Sequence, residues 1–261
     1  MQSKYQNIVI KVGTSTLAHK TGMTNIRNIE KLVKILSDIK NMGLNVTLVS
    51  SGAIGVGFGK LLRSKKGADT PTKQAAAAIG QCELMYLYDK LFSEYNHIVA
   101  QVLLTADAME SELRISHIKN TFSKLKEMGA IAIVNENDTV AVEEIEFGDN
   151  DTLSAIVAKV SDADALIILS DIDGLYDKNP KTHDDAVLIS DVYEIDEKIT
   201  SLAENTNSEL GTGGMITKIK AGVIALEANI DMHIINGEKP ELLYDILENK
   251  KCGTYFHGIS K

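Results

Sequence analysis

Short apolar runs alternate with amphipathic segments along almost the whole chain. The runs "VTLVS", "AIAIV" and "ALIILS" are continuously apolar rather than alternating, which is typical of strands buried on both faces. The segment "NIRNIEKLVKILSDIKNMG" spaces its apolar residues three and four positions apart and predicts a helix with one buried face. Further helical patterns run through "KQAAAAIGQCELMYLYDKLFSEY", "SELRISHIKNTFSKLKEMG" and "NDTLSAIVAKVSD". This alternation predicts an α/β protein, a three-layer α/β/α sandwich with a mainly parallel central sheet.

The alternation of predicted strands and helices becomes less regular after Asp171. There "IDGLYDKNPKTHDDAVLISDVYEID" predicts an excursion with a hairpin before a final strand, "DMHIING". The chain has no linker rich in Gly, Ser or Pro and no internal repeat. We therefore predict a single domain over residues 1–261, with an N-terminal lobe of about residues 1–165 and a C-terminal lobe of about residues 166–261.

Charge and composition exclude several classes of function. The chain has 36 acidic and 27 basic residues, a formal net charge of −9, which argues against nucleic acid as the main partner. No apolar segment reaches the length of a membrane span. The two cysteines have no metal-ligand spacing and indicate a reducing compartment, so we expect a cytoplasmic protein.

Polar and glycine-rich segments follow most of the predicted strands. Ligands of open α/β sheets lie beyond the carboxyl ends of the strands, so these segments are the candidate site. They are "KVGTST", "SSGAIG", "NENDTV", "SDIDGLY" and the glycine loop in "ELGTGGMITKIKAG". The glycine loop does not have Walker A spacing, and a flexible hinge would account for its glycines. It would not account for Lys218, whose charge is unfavourable in a first helical turn unless an anion accompanies it.

The other segments each allow two interpretations. Lys11 lies within an apolar strand, where it either meets a phosphate or points to solvent from an edge strand. Ser51 offers a hydroxyl to an anionic group or simply caps the next helix. Ser170 and Asp171 end a strand and either form a turn or frame a nucleotide. The run "NENDTVAVEEIEFGDNDTLSA" is either a solvated acidic loop or a set of groups that cap a helix and hold ammonium groups.

Six segments in order resemble the amino acid kinase family over essentially the whole chain: "IKVGTS", "LVSSGAIGVG", "VNEND", "FGDNDTLSA", "ILSDIDGLY" and "GTGGMITK". The pair "VNEND" and "FGDNDTLSA" is similar to the branch of the family that acts on glutamate. The resemblance implies that the γ-phosphoryl group of ATP is transferred to the side-chain carboxylate of L-glutamate. The product would be L-glutamyl 5-phosphate, the first intermediate of L-proline biosynthesis. Mg²⁺ would enter through the ATP phosphates, without ligands from the protein.

The resemblance also implies roles for individual residues. The catalytic group would be Lys11, Lys218 and Asp151, with Asp151 holding both ammonium groups. The substrate would be bound by Ser51, Asp138 and Asn150. The ATP site would comprise Lys11, Ser170, Asp171, Thr212, Gly213, Gly214, Met215, Ile216, Thr217 and Lys218, with Ile216 where a small polar residue is often found. No catalytic histidine is needed, because a carboxylate nucleophile is already ionised near neutral pH.

Several expectations about partners accompany the resemblance. We expect a homo-oligomer, a dimer or a tetramer, with L-proline as a feedback inhibitor and a glutamyl phosphate reductase as a partner. Many relatives carry an additional C-terminal PUA domain, and we expect none in this chain, whose sequence ends after "GTYFHGISK". Two alternatives stay open: another kinase of the family that forms an acyl or carbamoyl phosphate, and a non-catalytic module that senses a nucleotide or an amino acid.

Overall fold

The computed structural model describes residues 3–19, 21–105, 109–140, 150–204 and 214–258. The strands are β1 (Asn7–Val12), β2 (Asn45–Ser50), β3 (Val99–Leu104), β4 (Ile131–Glu136), β5 (Ala165–Ser170), β6 (Asp191–Val192), β7 (Asp231–Asn236) and β8 (Thr254–Phe256). The helices are α1 (Thr14–Leu17), α2 (Ile26–Asn41), α3 (Ala53–Lys60), α4 (Thr70–Ser93), α5 (Glu112–Glu127), α6 (Asn150–Val160), α7 (Glu197–Glu204), α8 (Met215–Glu227) and α9 (Leu242–Leu247). Within these ranges no helix is both long enough and apolar enough to cross a membrane.

The chain forms two compact units. The N-terminal unit is Val12–Glu146, and the discontinuous unit joins Met1–Lys11 to Phe147–Lys261. These units do not coincide with the lobes of about 1–165 and 166–261, because most of β1 and all of α6 belong to the discontinuous unit. The separate binding roles of the two lobes stay predictions.

The sheet of the N-terminal unit has the strand order β3-β4-β2. Both of its strand pairs are parallel, with Leu48 and Gln101 each opposite Ile133 of β4. Four successive residues of β4, from Ile131 to Val134, are buried, as its continuous apolar run predicts. Helix α2 packs with a stripe of buried side chains spaced as the sequence pattern predicts: Ile29, Leu32, Val33, Leu36 and Ile39.

The sheet of the discontinuous unit has the strand order β1-β5-β7-β8-β6. Strands β5 and β7 are parallel, as are β6 and β8, and all six residues of β5 are buried. The predicted α/β fold with a mainly parallel central sheet is therefore confirmed. Strand β8 is an addition to the prediction, which ended with β7. It pairs antiparallel with β7, with Met232 opposite Phe256, and its three residues are too few to show a pattern in the sequence.

The predicted excursion after Asp171 contains an antiparallel bridge between Tyr176 and Leu188. The hydroxyl of Thr254 ties this segment to β8, because it accepts from the backbone N–H of Leu175 (2.8 Å) and donates to the carbonyl of Ile189 (2.7 Å). The excursion is thus fastened to the sheet of its own unit.

The long helical region of the N-terminal unit is made of two helices, α3 and α4, whose backbones touch. A Cβ atom at Gly57 would lie 1.9 Å from the carbonyl oxygen of Ala76, and one at Gly80 would lie 1.8 Å from the carbonyl oxygen of Ala53. Glycine is therefore required at both positions, because any side chain would push the helices apart. This contact holds the beginning of α3, and with it the segment of Ser50, Ser51 and Gly52 that precedes the helix.

We expect Gly57→Ala to lower the free energy of unfolding by about 1–3 kcal/mol or more, since the added methyl group meets backbone rather than a movable side chain. Gly55→Ala is the matched control in the same helix: its Cβ would meet only the Thr14 side chain, at 3.5 Å. That variant should be neutral or more stable by about 0.5–1 kcal/mol, because alanine favours the helix. Urea unfolding measures both, and equal effects would contradict the proposed close contact.

Candidate active site

The carboxylate of Asp151 lies between two ammonium groups in the discontinuous unit. Its Oδ1 is 2.6 Å from the Nζ of Lys11, and its Oδ2 is 3.1 Å from the Nζ of Lys218. The exposed fractions are 0% for Asp151, 5% for Lys11 and 6% for Lys218. A buried charge costs several kcal/mol unless it is paired, so the three groups depend on one another.

Three elements bring these side chains together. Lys11 is the fifth residue of β1, Asp151 lies in the first turn of α6, and Lys218 lies at the beginning of α8. The positive end of α6 favours a carboxylate at that position. The hydroxyl of Ser154, which is fully buried, donates to the backbone carbonyl of Asp151 at 2.6 Å and stiffens this turn.

Electrostatics keep Asp151 ionised. Burial by itself would raise the pKa of its carboxyl group, but the charges of Lys11 and Lys218 outweigh burial and hold the pKa well below its ordinary value. The hydroxyl of Thr217, 2.8 Å from Oδ2, lowers the pKa further. The site therefore carries two cations and one anion, a net positive charge, at neutral pH.

Helix α8 begins at this site without a side-chain cap. Its N-cap, Gly214, has an extended backbone and no side chain that could accept from the first N–H groups of the helix. A Cβ atom at Gly214 would meet nothing within 4 Å. The N–H groups at the beginning of a helix, next to two ammonium groups, can bind an anion such as a phosphate. Of the helical residues in the predicted ATP set, Met215 is buried and Ile216 is exposed. Thr212 and Gly213, which the sequence also assigns to ATP, lie outside the described residues.

Ser170 and Asp171 lie at the carboxyl end of β5, in the same unit. Ser170 is buried, and its carbonyl oxygen accepts from the N–H of Gly237 at 2.7 Å. The exposed Asp171 pairs with Lys181 at 3.0 Å. Burial raises the pKa of Asp171, but Lys181 and, more weakly, Lys218 outweigh it, so the pKa lies below its ordinary value. Sequence reasoning did not find Lys181, because it lies ten residues away in an irregular segment.

The predicted substrate residues are divided between the two units. Ser51 and Asp138 belong to the N-terminal unit, and Asn150 begins α6 in the discontinuous unit. Ser51 is buried, and its N–H donates to the carbonyl of Val12 at 3.1 Å. Asp138 is half-buried and follows β4 by two residues.

Two hydrogen bonds, one buried and one partly buried, support the predicted substrate residues of the N-terminal unit, and the sequence did not reveal either. The hydroxyl groups of Ser50 and Tyr88 lie 2.9 Å apart, directly before Ser51. The amide of Asn135, at the end of β4, donates to the side chain of Gln81 at 2.9 Å. Both link a strand end to helix α4, which is how this helix holds the loops that follow β2 and β4.

A second polar cluster in the discontinuous unit was also missed by sequence reasoning. The Oδ2 of Asp231 accepts from the ammonium group of Lys4 (2.9 Å) and from the hydroxyl groups of Tyr5 and Tyr255 (2.7 Å each). Burial lowers the pKa of the adjacent His233 to about 3, so this imidazole is neutral and serves as a packed ring. The cluster ties the segment before β1 to β7 and β8, and it lies at the amino ends of β1 and β7, away from Asp151.

A model of the amino acid kinase family matches residues 6–236 of the chain. The chain therefore belongs to the amino acid kinase family, a class whose fold has the mainly parallel sheet described above.

Curated relatives of the chain within this family include several glutamate 5-kinases. The chain is 53% identical over 255 residues to a glutamate 5-kinase of Clostridium perfringens, covering 96% of this chain and 95% of the relative. It is 50% identical to a glutamate 5-kinase of Listeria monocytogenes, covering 96% and 92%.

Solved structures with a similar fold are more distant in sequence. Carbamate kinase from Giardia lamblia, bound to AMP-PNP, has a TM-score of 0.70 and 15% identity, with 97% of this chain and 99% of that chain covered. Isopentenyl phosphate kinase from T. acidophilum has a TM-score of 0.66 and 18% identity, with 96% and 99% covered. At these identities the similarity concerns the fold alone.

We expect Asp151→Asn to destabilise the protein by about 3–5 kcal/mol at pH 7, because it leaves two buried ammonium groups without a counter-charge. The depressed pKa of Asp151 means that its contribution is complete above the ordinary aspartate value of about 4 and is lost as the pH falls towards the lower value in the folded state. The difference between variant and wild type should therefore shrink below about pH 4. Urea unfolding at several pH values measures it.

Asp185→Asn is the matched control. Asp185 also pairs with a lysine, Lys178, at 2.6 Å, but its side chain is 76% exposed. An exposed pair contributes little, so the unfolding midpoint should hardly move. If Asp151→Asn were as mild as Asp185→Asn, the buried carboxylate would not be holding the two lysines.

Proposed function

We infer that this protein is an ATP-dependent kinase that phosphorylates the γ-carboxylate of L-glutamate to give L-glutamyl 5-phosphate, in the first step of L-proline biosynthesis. The observation that carries the reaction type is the pair of buried ammonium groups held by Asp151 beside the uncapped end of α8. The identity of about half of all residues to curated glutamate 5-kinases, over nearly the whole chain, supports the substrate.

The reaction brings two anions together, the glutamate carboxylate and the triphosphate. Their repulsion is a main obstacle, so positioning and charge neutralisation are what the protein has to supply. We propose that Lys11 and Lys218 lie on opposite sides of the transferring phosphoryl group and neutralise the charge that spreads over its oxygens. The carboxylate nucleophile is ionised near neutral pH, and no general base is required.

Asp151 then acts by holding the two lysines rather than by contact with the substrate. Its Oδ1 is paired with Lys11, and its Oδ2 is paired with Lys218 and accepts from Thr217. Mg²⁺ would be held by the phosphates of ATP rather than by these residues, and it would supply part of the charge neutralisation. The N–H groups at the beginning of α8 would receive phosphate oxygens.

The remaining predicted residues would bind the two substrates. We propose that Ser51, Asp138 and Asn150 bind L-glutamate, with the carboxylate of Asp138 receiving the α-ammonium group. Ser170 and Asp171 would frame the nucleotide at the carboxyl end of β5. The segment of residues 212–218 would enclose its phosphates.

The proposed setting is a cytoplasmic homo-oligomer inhibited by L-proline, whose labile product passes to a glutamyl phosphate reductase. The helix α4 presents apolar side chains to solvent in the N-terminal unit, with Ile79 36% exposed and Tyr86 65% exposed. A second copy of the chain would cover such a face. Sedimentation equilibrium tests the assembly, and a monomer at micromolar concentration would contradict it.

We expect ADP release from Mg·ATP to depend on L-glutamate, and hydroxylamine to trap the acyl phosphate product as a hydroxamate. N-acetylglutamate, aspartate and carbamate serve as competing acceptors, since other kinases of the family could use them. Hydroxamate formed from another acid but not from glutamate would contradict the substrate. Nucleotide binding without ADP release in the presence of any acid would favour a sensing module instead.

We expect Lys11→Ala and Lys218→Ala each to lower kcat by roughly 10²–10³-fold, because each removes a positive charge that acts mainly in the transition state. The KM for glutamate should change far less. Lys178→Ala is the control: it removes a partly exposed lysine paired with the exposed Asp185 and should leave kcat unchanged. Near wild-type turnover in either of the first two variants would remove that lysine from the mechanism.

A further inference from the structure

The hydroxyl group of Thr217 has two acceptors within reach. Its Oγ1 lies 2.8 Å from the Oδ2 of Asp151 and 2.8 Å from the carbonyl oxygen of Gly214. Thr217 directly precedes Lys218 in α8, so one helical turn supplies both donors to the same carboxylate oxygen. The resemblance of the sequence to the amino acid kinase family implies only an ATP-binding role for Thr217.

A hydroxyl group has one proton and can donate to only one acceptor at a time. The carbonyl of Gly214, the N-cap residue of α8, is a neutral acceptor. The carboxylate of Asp151 is charged and fully buried, so it is the stronger acceptor and has no water to replace a lost donor. The proton of Thr217 therefore belongs to Asp151.

This third donor constrains the orientation of the carboxylate. Lysine side chains are long and flexible, so an ammonium group on each oxygen would still let the carboxylate turn about its Cβ–Cγ bond. The hydroxyl of Thr217 is on a short, β-branched side chain with few rotamers, and it is fixed by the helix backbone. It holds Oδ2, and thereby sets the positions of the ammonium groups of Lys11 and Lys218.

We propose that Thr217 is a positioning residue for the phosphoryl transfer, whose hydroxyl orients Asp151 and thus keeps the two lysines apart at the distance the reaction needs. This inference rests on the proposed function of the same site. It also differs from a role of the hydroxyl in nucleotide binding: loss of a positioning bond lowers kcat, whereas loss of a bond to bound ATP raises the KM for ATP.

The test compares Thr217→Val, which keeps the shape but removes the hydroxyl, with Thr217→Ser, which keeps the hydroxyl. We expect the valine variant to lose roughly ten- to a hundredfold in kcat, the effect of a lost hydrogen bond to a charged group. Its KM values for ATP and glutamate should stay within about twofold of wild type. The serine variant should recover most of the turnover.

Thr200→Val is the matched control. Thr200 is also near the beginning of a helix, α7, and its hydroxyl donates to the carbonyl of Asp196 at 3.0 Å, but it is exposed and is not part of the site. It should keep wild-type kcat. If Thr217→Val does not fold, Thr217→Ala, which also lacks the hydroxyl and adds no bulk, takes its place, with thermal unfolding as the check on folding.

Three results would overturn the proposal: wild-type kcat in the valine or alanine variant, a rise in the KM for ATP that accounts for the whole loss, or a serine variant as slow as the valine variant. Failure of the proposed function is distinguishable from these. If the proposed function failed, wild-type protein itself would form no hydroxamate from glutamate. The three results above would leave wild-type activity in place and contradict only the role of Thr217.

Discussion

The discontinuous unit depends on the pairing of one buried carboxylate with two buried ammonium groups. Lys11 comes from the first strand, Lys218 from a helix more than 200 residues later, and Asp151 lies between them in the chain. None of the three could be buried alone without a cost of several kcal/mol. The first eleven residues therefore belong with the second half of the chain, and two lysines that the chain separates widely meet at one point.

The same pairing creates the chemistry of the site. The beginnings of α6 and α8 meet there, and a helix N-terminus favours anions. The carboxylate of Asp151 is stabilised by the N-terminus of α6. Its negative charge also offsets the unfavourable position of Lys218 near the N-terminus of α8. What is left over is one net positive charge next to the N–H groups that begin α8, in a buried setting where electrostatic interactions are strong. Such a site suits an anion whose charge shifts during reaction, as in phosphoryl transfer.

A second carboxylate, which is only partly buried, shows how differently the same kind of group is used elsewhere in this unit. Asp231 is also surrounded by donors, but two of them are phenol hydroxyls and a third is the ammonium group of Lys4, which is partly exposed. That cluster fastens the segment before β1 to β7 and β8. The carboxylate of Asp231 therefore has a structural role. The two buried lysines and the helix N-terminus distinguish the Asp151 site and suit it to a reaction.

Most of the elements and the order of the site motifs could be predicted from the sequence alone, because apolar periodicity and strand-end residues are local signals. It predicted the buried run of β5 and the conflict between Lys218 and the dipole of its helix. Three further features depend on how the chain packs: the backbone contact of Gly57 with Ala76, the antiparallel β8, and the bond from Thr217 to Asp151. Thr217 and Asp151 are 66 residues apart, and Tyr5 and Asp231 are 226 apart. No local pattern records such a pair, since a donor and an acceptor that are distant in the chain meet only when the core between them has packed.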